Sequence, residues 1–487
     1  MATTTFKPSV YQEGVFNWVR TGSGDAVINA VAGSGKTTTL LESLRYIHGQ
    51  VILLAFNAHI AKEIQGKIAA MGLTHVEVKT IHSLGYGAIA FSLPKGKRVN
   101  VQEYKYKDIA QTMFQDRNEA NRFADLLDKV RVSLTSPTDN EAVWDLIAHH
   151  NIEDITAEMV AALPQALATG VAMGRVGVID FTDMIWLPTS MGLQPRKFDF
   201  VLVDEAQDLS PAQLELVLKA RSKGGRMLFV GDPFQSIYGF AGADCNSFYN
   251  IKERLNALEL PLSINYRCHT KALDLARQIV PHIEARPDAP EGVVEYIKSE
   301  DLAEKANEGD LVLCRLTAPL IKECIKMIRH RKPARVRGRD IAKSLTSIIR
   351  KVAKANRGEF NLDLLTVWSG KEQEKIQRAK HHEAALEAHN DRIQGIQVCY
   401  ETFGCLSVND LCEEIEGLFS DGRASVMLST IHRAKGLEEN RVFIIVPEKL
   451  PLTWKGQRDW EFQQEMNLKY VALTRPKSEL YFVESEK

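Results

Sequence analysis

Short apolar runs alternate with amphipathic stretches along the first part of the chain. Ala26-Val27-Ile28 and Val51-Ile52-Leu53-Leu54-Ala55-Phe56 read as strands buried on both faces, the pattern of a parallel sheet. Helix-like segments follow them, Thr38 to Tyr46 and Ala58 to Met71, and Val76-Glu77-Val78-Lys79-Thr80 reads as a further strand. From about Gly87 to Gly174 the pattern turns helical and polar, with no strong strand. Phe200-Val201-Leu202-Val203 and Arg226-Met227-Leu228-Phe229-Val230 then restore short apolar strands. The alternation predicts a βα domain carrying a helical insertion.

A second alternating region begins near Asn265. Leu311 to Cys314, Ser425 to Leu428, Val442 to Val446 and Leu480 to Val483 are its predicted strands. Between 331 and 420 the chain is helical and charged. Ala379, Leu386 and Ile393 recur every seven residues there, with Ile376 and Ile396 nearby, which predicts a helical hairpin whose seam is core. His382 and His389 lie on that stripe and read as core or surface residues, because no Cys or carboxylate accompanies them at ligand spacing. The predicted fold class is α/β. Residues 1–86 and 175–264 form one domain with 87–174 as its insertion; 265–330 and 421–487 form a second with 331–420 as its insertion.

Composition adds bounds rather than chemistry. A chain of 487 residues exceeds a single core and suggests roughly three or four domains. No apolar run reaches the roughly 18 residues of a membrane span, and the N-terminus lacks a secretory pattern. Seven cysteines, an odd number, fit a reducing compartment, and the expected location is cytoplasmic, at the nucleoid or in a nucleus. Cys399, Cys405 and Cys412 match no common metal spacing and read as buried thiols. The formal net charge is −1, but its distribution is uneven: residues 331 to 357 hold ten Lys/Arg and one acid, Asp340. That block either tracks phosphates or is a solvated helix face; composition leaves both open.

Chemistry enters at Ala30-Val31-Ala32-Gly33-Ser34-Gly35-Lys36-Thr37, between the first strand and the first helix. Strand, glycine loop, Gly-Lys-Thr and helix make a nucleotide-triphosphate loop, with Ala30 in place of the usual first glycine. Ala32, Gly33, Ser34, Gly35, Lys36, Thr37 and Thr38 would cradle the phosphates of ATP. Lys36 would reach the β- and γ-phosphates, and the Thr37 hydroxyl would hold Mg²⁺. Asp204-Glu205 ends the strand Val201-Leu202-Val203 and supplies the acidic partner. Asp204 would bind Mg²⁺ and Glu205 would act on the attacking water as general base.

Asp204-Glu205-Ala206-Gln207-Asp208 resembles the second motif of the UvrD/Rep/PcrA superfamily 1 DNA helicases, and further motifs follow the same order. The resemblance implies two RecA-like P-loop domains with parallel sheets, each with a mainly helical insertion. Tyr11-Gln12 resembles the adenine-reading motif, with Gln12 pairing the base edge. Phe56-Asn57-Ala58 and Thr80-Ile81-His82-Ser83-Leu84 resemble elements that imply DNA contacts by Phe56, Asn57 and His82. Asp180-Phe181-Thr182-Asp183-Met184 resembles the acidic-aromatic motif at the return from the first insertion. Gly231 to Phe240 resembles the third motif, which implies γ-phosphate sensing by Gln235, a DNA path near Tyr238, and base stacking on Phe240. Asn265-Tyr266-Arg267 implies adenine stacking by Tyr266 and γ-phosphate contact by Arg267. Thr430 to Glu438 implies DNA-backbone contacts by Thr430 and His432 and ribose contact by Glu438. Tyr470 to Arg475 implies a second arginine finger, Arg475. The wording Phe56-Asn57-x-x-Ile60-Ala61, then Lys79-Thr80-Ile81-His82-Ser83, stands closest to the F-box DNA helicase branch, with no F-box expected.

The resemblance implies an ATP- and Mg²⁺-dependent translocase and helicase moving 3′ to 5′ on single-stranded DNA and engaging single-strand/duplex junctions. It implies partners in repair, recombination or a nuclease complex, no membrane, and a monomer in isolation. Two departures favour a second reading, a DNA-stimulated ATPase that remodels or strips protein from single strands. Ala241 stands where the family has Arg, and the second insertion is short. A third reading is the ATPase subunit of a nuclease complex.

Overall fold

A computed structural model describes residues 6–150, 152, 154–237, 246–377, 383–404, 407–419 and 426–485. The chain divides into two compact units, residues 1–263 and 264–487.

In the first unit, β1 (Ala26–Ala30), β2 (Val51–Ala55) and β3 (Val76–Thr80) enter the main sheet. A two-residue pair follows, β4 (Asn100–Val101) with β5 (Val178–Ile179). The chain then returns through β6 (Phe198–Val203), β7 (Arg221–Gly231) and β8 (Leu258–Leu262). The order is β3-β2-β6-β7-β1-β8, every pairing parallel. Alternate strand residues fill two separate cores, as a period of two requires. Val27, Ile52, Leu54, Val201, Val203 and Phe229 lie in one, and Ile28, Val51, Leu53, Leu202, Leu228 and Val230 in the other.

Between β4 and β5 run four helices, Lys105–Met113, Arg117–Ser133, Asn140–His149 and Ala157–Arg175, around their own core of Phe123, Leu127, Leu163 and Leu187. The β4–β5 pair lies where the apolar pattern shows no strong strand; two residues are too few for alternation to register. An ionic cluster is buried inside this part. Lys105 Nζ lies 2.5 Å from Asp183 Oδ2, and Arg131 Nη1 lies 2.9 Å from Asp180 Oδ1 and 3.2 Å from Asp183 Oδ1.

The second unit opens with β9 (Ile264–Asn265) and β10 (Glu284–Ala285), a small parallel pair. Its main sheet comprises β11 (Val293–Lys298), β12 (Asp310–Cys314), β13 (Ala334–Val336), β14 (Val426–Thr430), β15 (Glu439–Ile445) and β16 (Pro476–Glu484). The order is β11-β16-β15-β12-β14-β13, again parallel throughout. Helices Arg339–Ala355, Leu362–Ile376, Glu383–Phe403 and Val408–Leu418 lie between β13 and β14 and share the sheet's core.

Helices Leu362–Ile376 and Glu383–Phe403 pack together as the seven-residue stripe predicts, with Ile393 and Ile396 buried. His389 bridges them, its Nε2 at 2.8 Å from Ser369 Oγ, and burial holds its pKa below the usual value. It is a core histidine. Ala379 and His382 lie outside the described residues, as do Cys245 and Cys405, and the other five cysteines are buried free thiols. Among the described residues no helix is long and apolar enough to cross a membrane, and no group of His, Cys, Asp or Glu is placed to hold a metal as a cluster.

Candidate nucleotide and nucleic-acid sites

The loop after β1 carries the first set of candidate residues. Gly33 and Gly35 have φ of 65° and 79°, left-handed values that a side chain disfavours. Ala30 is the last residue of β1 and has no positive φ, so the family's glycine is not needed there. Gly35 caps helix Lys36–Ser43 without a side-chain bond, which leaves the first amides of the helix to an anion. Ser34 is buried, and its Oγ has no hydrogen-bond partner among the described residues. An orphaned hydroxyl inside a glycine loop at a helix N-terminus fits a phosphate cradle.

Gln12 lies beside this loop but is already engaged. Its Oε1 accepts from Ser9 N at 3.0 Å, and its Nε2 donates to Thr39 Oγ1 at 3.0 Å. One amide hydrogen and one lone pair remain for a base edge.

The carboxylates come from the C-terminal ends of β6 and β7, on either side of each other in the sheet. Lys36 Nζ lies 3.6 Å from Glu205 Oε1. Glu205 sits at φ 54°, a strained value for a side chain, and Gln207 Nε2 donates to its Oε2 at 2.5 Å. Asp204 Oδ1 accepts from Glu205 N at 3.0 Å, while Asp204 N donates to Leu54 O at 3.0 Å, which ties the acidic turn to β2. Gln235 Nε2 donates to Asp232 Oδ2 at 2.6 Å, and Asp232 N donates to Gln207 Oε1 at 3.0 Å.

Asp232 is 1% exposed, and burial raises its pKa, with the Lys36 charge opposing. Sequence alone points to Gln235 but marks no role for Asp232 or Gln207. A single acid after an apolar strand has no spacing signature; its tie to Gln207, Gln235 and Lys36 emerges only when β6 and β7 pair.

The second unit assembles Arg267, Glu438, Thr474 and Arg475. Arg267 Nε donates to Glu438 Oε2 at 2.5 Å, and its Nη1 donates to Thr474 O at 3.1 Å. Lys477 Nζ lies 3.1 Å from Glu438 Oε1. Burial works against the Glu438 charge, but Arg267 and Lys477 prevail and its pKa falls. Arg475 is 1% exposed and donates to Val471 O, Leu437 O and Thr474 Oγ1 at 2.8, 3.0 and 3.1 Å. Three of its five N–H groups are thereby used. Burial and the Arg267 charge lower it to about 9, still protonated at neutral pH. Tyr266 is exposed, with its carbonyl held by Arg286.

Candidate DNA contacts fall in both units. Phe56, 42% exposed, follows β2. Asn57 caps helix Ala58–Ala70, its Oδ1 accepting from Ile60 N at 2.9 Å. His82 stands in the first turn of helix Ile81–Ser92, and burial lowers its pKa. Thr430 and His432 line one cavity of 320 Å³ with Arg315, Asp391, Arg392 and Trp454. Burial, Arg315 and Arg433 lower His432 to about 3, so its imidazole is neutral. Arg315 and Trp454 belong to no motif, and only the fold brings them to Thr430 and His432. Tyr238, Phe240 and Ala241 lie outside the described residues.

Residues 13–256 match the UvrD/REP helicase N-terminal domain, and residues 337–487 match the UvrD-like helicase C-terminal domain. The chain is 25% identical over 300 residues to the ATP-dependent DNA helicase PcrA of Staphylococcus epidermidis, across 55% of this chain and 39% of that one. It is 26% identical over 298 residues to the PcrA of Leuconostoc citreum, across 55% and 38%. The chain thus spans well under half the length of these curated relatives. An arterivirus nonstructural protein 10 (helicase) structure aligns over 94% of this chain and 59% of that one, at 13% identity and a TM-score of 0.37.

Proposed function

The chain belongs to the UvrD/REP helicase family, and from that premise we propose that it is an ATP-dependent, DNA-stimulated motor that moves along single-stranded DNA and separates strands. The observation that carries the reading is the convergence of Lys36 with Glu205 and Asp232 at the phosphate loop. The orphaned Ser34 hydroxyl, the two left-handed glycines and the uncapped helix fit ATP phosphates, and by resemblance Thr37 and Asp204 would hold Mg²⁺. The metal would supply charge neutralisation at the phosphates.

The chain's own residues would then divide the work. Lys36 holds phosphate oxygens. Glu205, fixed by Gln207, takes a proton from water as general base. Gln235 responds to the terminal phosphate through its bond to Asp232. Arg267 and Arg475 supply guanidinium charge from the second unit, Glu438 the ribose contact, and Tyr266 and Gln12 the adenine contacts. Phe56, Asn57, His82, Tyr238, Phe240, Thr430 and His432 hold the single strand, with 3′-to-5′ movement by resemblance.

ATP hydrolysis is measured with and without single-stranded DNA, followed by unwinding of 3′- and 5′-tailed duplexes. The expected result is DNA-stimulated hydrolysis that Lys36→Ala abolishes, with unwinding of the 3′-tailed substrate. Wild-type hydrolysis rates in Lys36→Ala would overturn the assignment. The compact four-helix insertion between β13 and β14 favours a second reading, protein remodelling on single strands with little unwinding. Displacement of streptavidin from a biotinylated strand without fork unwinding would select it.

A further inference from the structure

The basic block at 331–357 is divided by the fold into two groups with different fates. Lys332 Nζ donates to the carbonyls of Glu304 and Ala306, both at 2.5 Å, and Arg335 donates to the carbonyl of Gly417. These side chains hold the edge of the sheet. Arg331 and Arg337 flank β13, and the other six lie on or just beyond helix Arg339–Ala355, whose other face (Ala342, Leu345, Ile348, Ile349 and Val352) is packed in the core.

At about 3.6 residues per turn, Arg339, Lys343, Arg350 and Lys354 project within an arc of roughly 60°, and they span about 22 Å of axis. All four are exposed. Arg350 faces Glu416 at a loose 3.8 Å. Arg339, Lys343 and Lys354 make no ion pair among the described residues, and the helix's one acid, Asp340, is engaged by Arg433.

We infer that this stripe binds the phosphate backbone of duplex DNA. The inference rests on the reading of the chain as a DNA motor and adds where the duplex is held. Three features select this occupant. First, the cations form a straight, rigid row of fixed spacing, which suits the stiff backbone of a duplex rather than a flexible single strand. Second, the exposed face carries Arg, Lys, Ser and Asp but no aromatic residue, so it lacks the stacking platforms that hold flexible single strands. Third, the helix carries no Asn, Gln or Glu with which to read base edges, and its one acid is already engaged. The contact is therefore with phosphates and is independent of sequence.

The test is a salt titration of binding to a blunt duplex and to oligo-dT, by fluorescence anisotropy, with R339Q/K343Q/K354Q beside wild type. Each lost phosphate contact lowers the log–log salt slope on duplex by about 0.9, so the triple variant should lose roughly 2.7. Between 50 and 200 mM salt the wild type should then lose roughly 40-fold more duplex affinity than the variant. Oligo-dT-stimulated ATPase should be unchanged, which also reports that the variant folds. K271Q/K298Q/R329Q, an equal charge loss elsewhere in the second unit, should leave the slope alone.

An unchanged duplex slope in the stripe variant, an equal drop in the control, or a drop on oligo-dT alone would each overturn the inference. A wild type with the steeper duplex slope but no DNA-stimulated ATPase would keep the stripe and overturn the proposed function instead.

Discussion

Removal of the Asp183 carboxylate should unlock the helical part of the first unit. Asp183 and Lys105 are both 0% exposed at the side chain, and Arg131 is 2% exposed. Asp183 accepts from Lys105 Nζ at 2.5 Å, Arg131 Nη1 at 3.2 Å, Tyr106 Oη at 3.2 Å and Asp180 N at 3.1 Å. Burial and the Asp180 charge push its pKa up, while Lys105 and Arg131 oppose them. Burial likewise pushes Lys105 down. Two cations and two carboxylates therefore balance in a dry site, and each needs the others. Asp183→Ala leaves Lys105 with the Gly170 carbonyl, at 2.7 Å, as its one hydrogen-bond partner among the described residues, and with the more distant charge of Asp180. Breaking a buried pair in this way costs about 3–5 kcal/mol.

For a unit of this size, at about 2–4 °C per kcal/mol, the melting temperature should fall by roughly 10 °C. Differential scanning calorimetry, with the two units fitted as separate transitions, would measure it. Asp128→Ala removes an exposed partner of Arg131, 3.2 Å away, and of Thr182 Oγ1, 2.7 Å away, and should cost about 1–2 kcal/mol, well below Asp183→Ala. Lys105→Met with Asp183→Leu removes the stranded cation as well, so it should cost less than the sum of the single changes. A shift below about 2 °C for Asp183→Ala, or strict additivity in the pair, would refute the idea that the cluster acts as one unit.

Glu205→Gln should keep nucleotide affinity and lower the hydrolysis rate by about 10²–10⁴-fold, read by a fluorescent nucleotide and by phosphate release. The second unit should lose stability in mild acid through His432. An unfolded histidine takes a proton below about 6.5, whereas the folded one resists until about 3, so stability is full above 6.5 and falls toward 3. The loss at pH 5 should be about 2 kcal/mol by denaturant titration, and His432→Gln should flatten that window. Gly85→Ala places a methyl against the Met184 carbonyl where helix Ile81–Ser92 meets Asp183–Ser190. It should destabilise the first unit by about 1–3 kcal/mol in thermal melts.

The parts that were legible in sequence are those whose signals are local. The β1 strand, its glycine loop and the Gly-Lys-Thr helix start announce themselves because backbone geometry restricts residue type at Gly33 and Gly35. The tolerance of Ala30 required the φ angle itself. Asp232 was not legible because its importance comes from Gln207 and Lys36, which other strands deliver. Nor could composition divide the basic block. Arg335 is consumed by a carbonyl at Gly417, while Arg339 and Lys343, almost adjacent in sequence, stay exposed. Contacts that close over long loops decide which charges are spent.

The candidate residues of the two units differ in the sign of their charge balance. Around the phosphate loop, Lys36 is outnumbered by Asp204, Glu205 and Asp232, and burial already raises the Asp232 pKa. On the proposed function a divalent cation would relieve that carboxylate repulsion and free Lys36 for phosphate. In the second unit the excess has the opposite sign. Arg267 and Lys477 both pair with the carboxylate of Glu438, and burial and Arg267 pull the nearby Arg475 down to about 9. On the proposed function that excess would suit an anion. Within each unit the groups proposed to act are already held, Glu205 by Gln207 and Arg267 by Thr474.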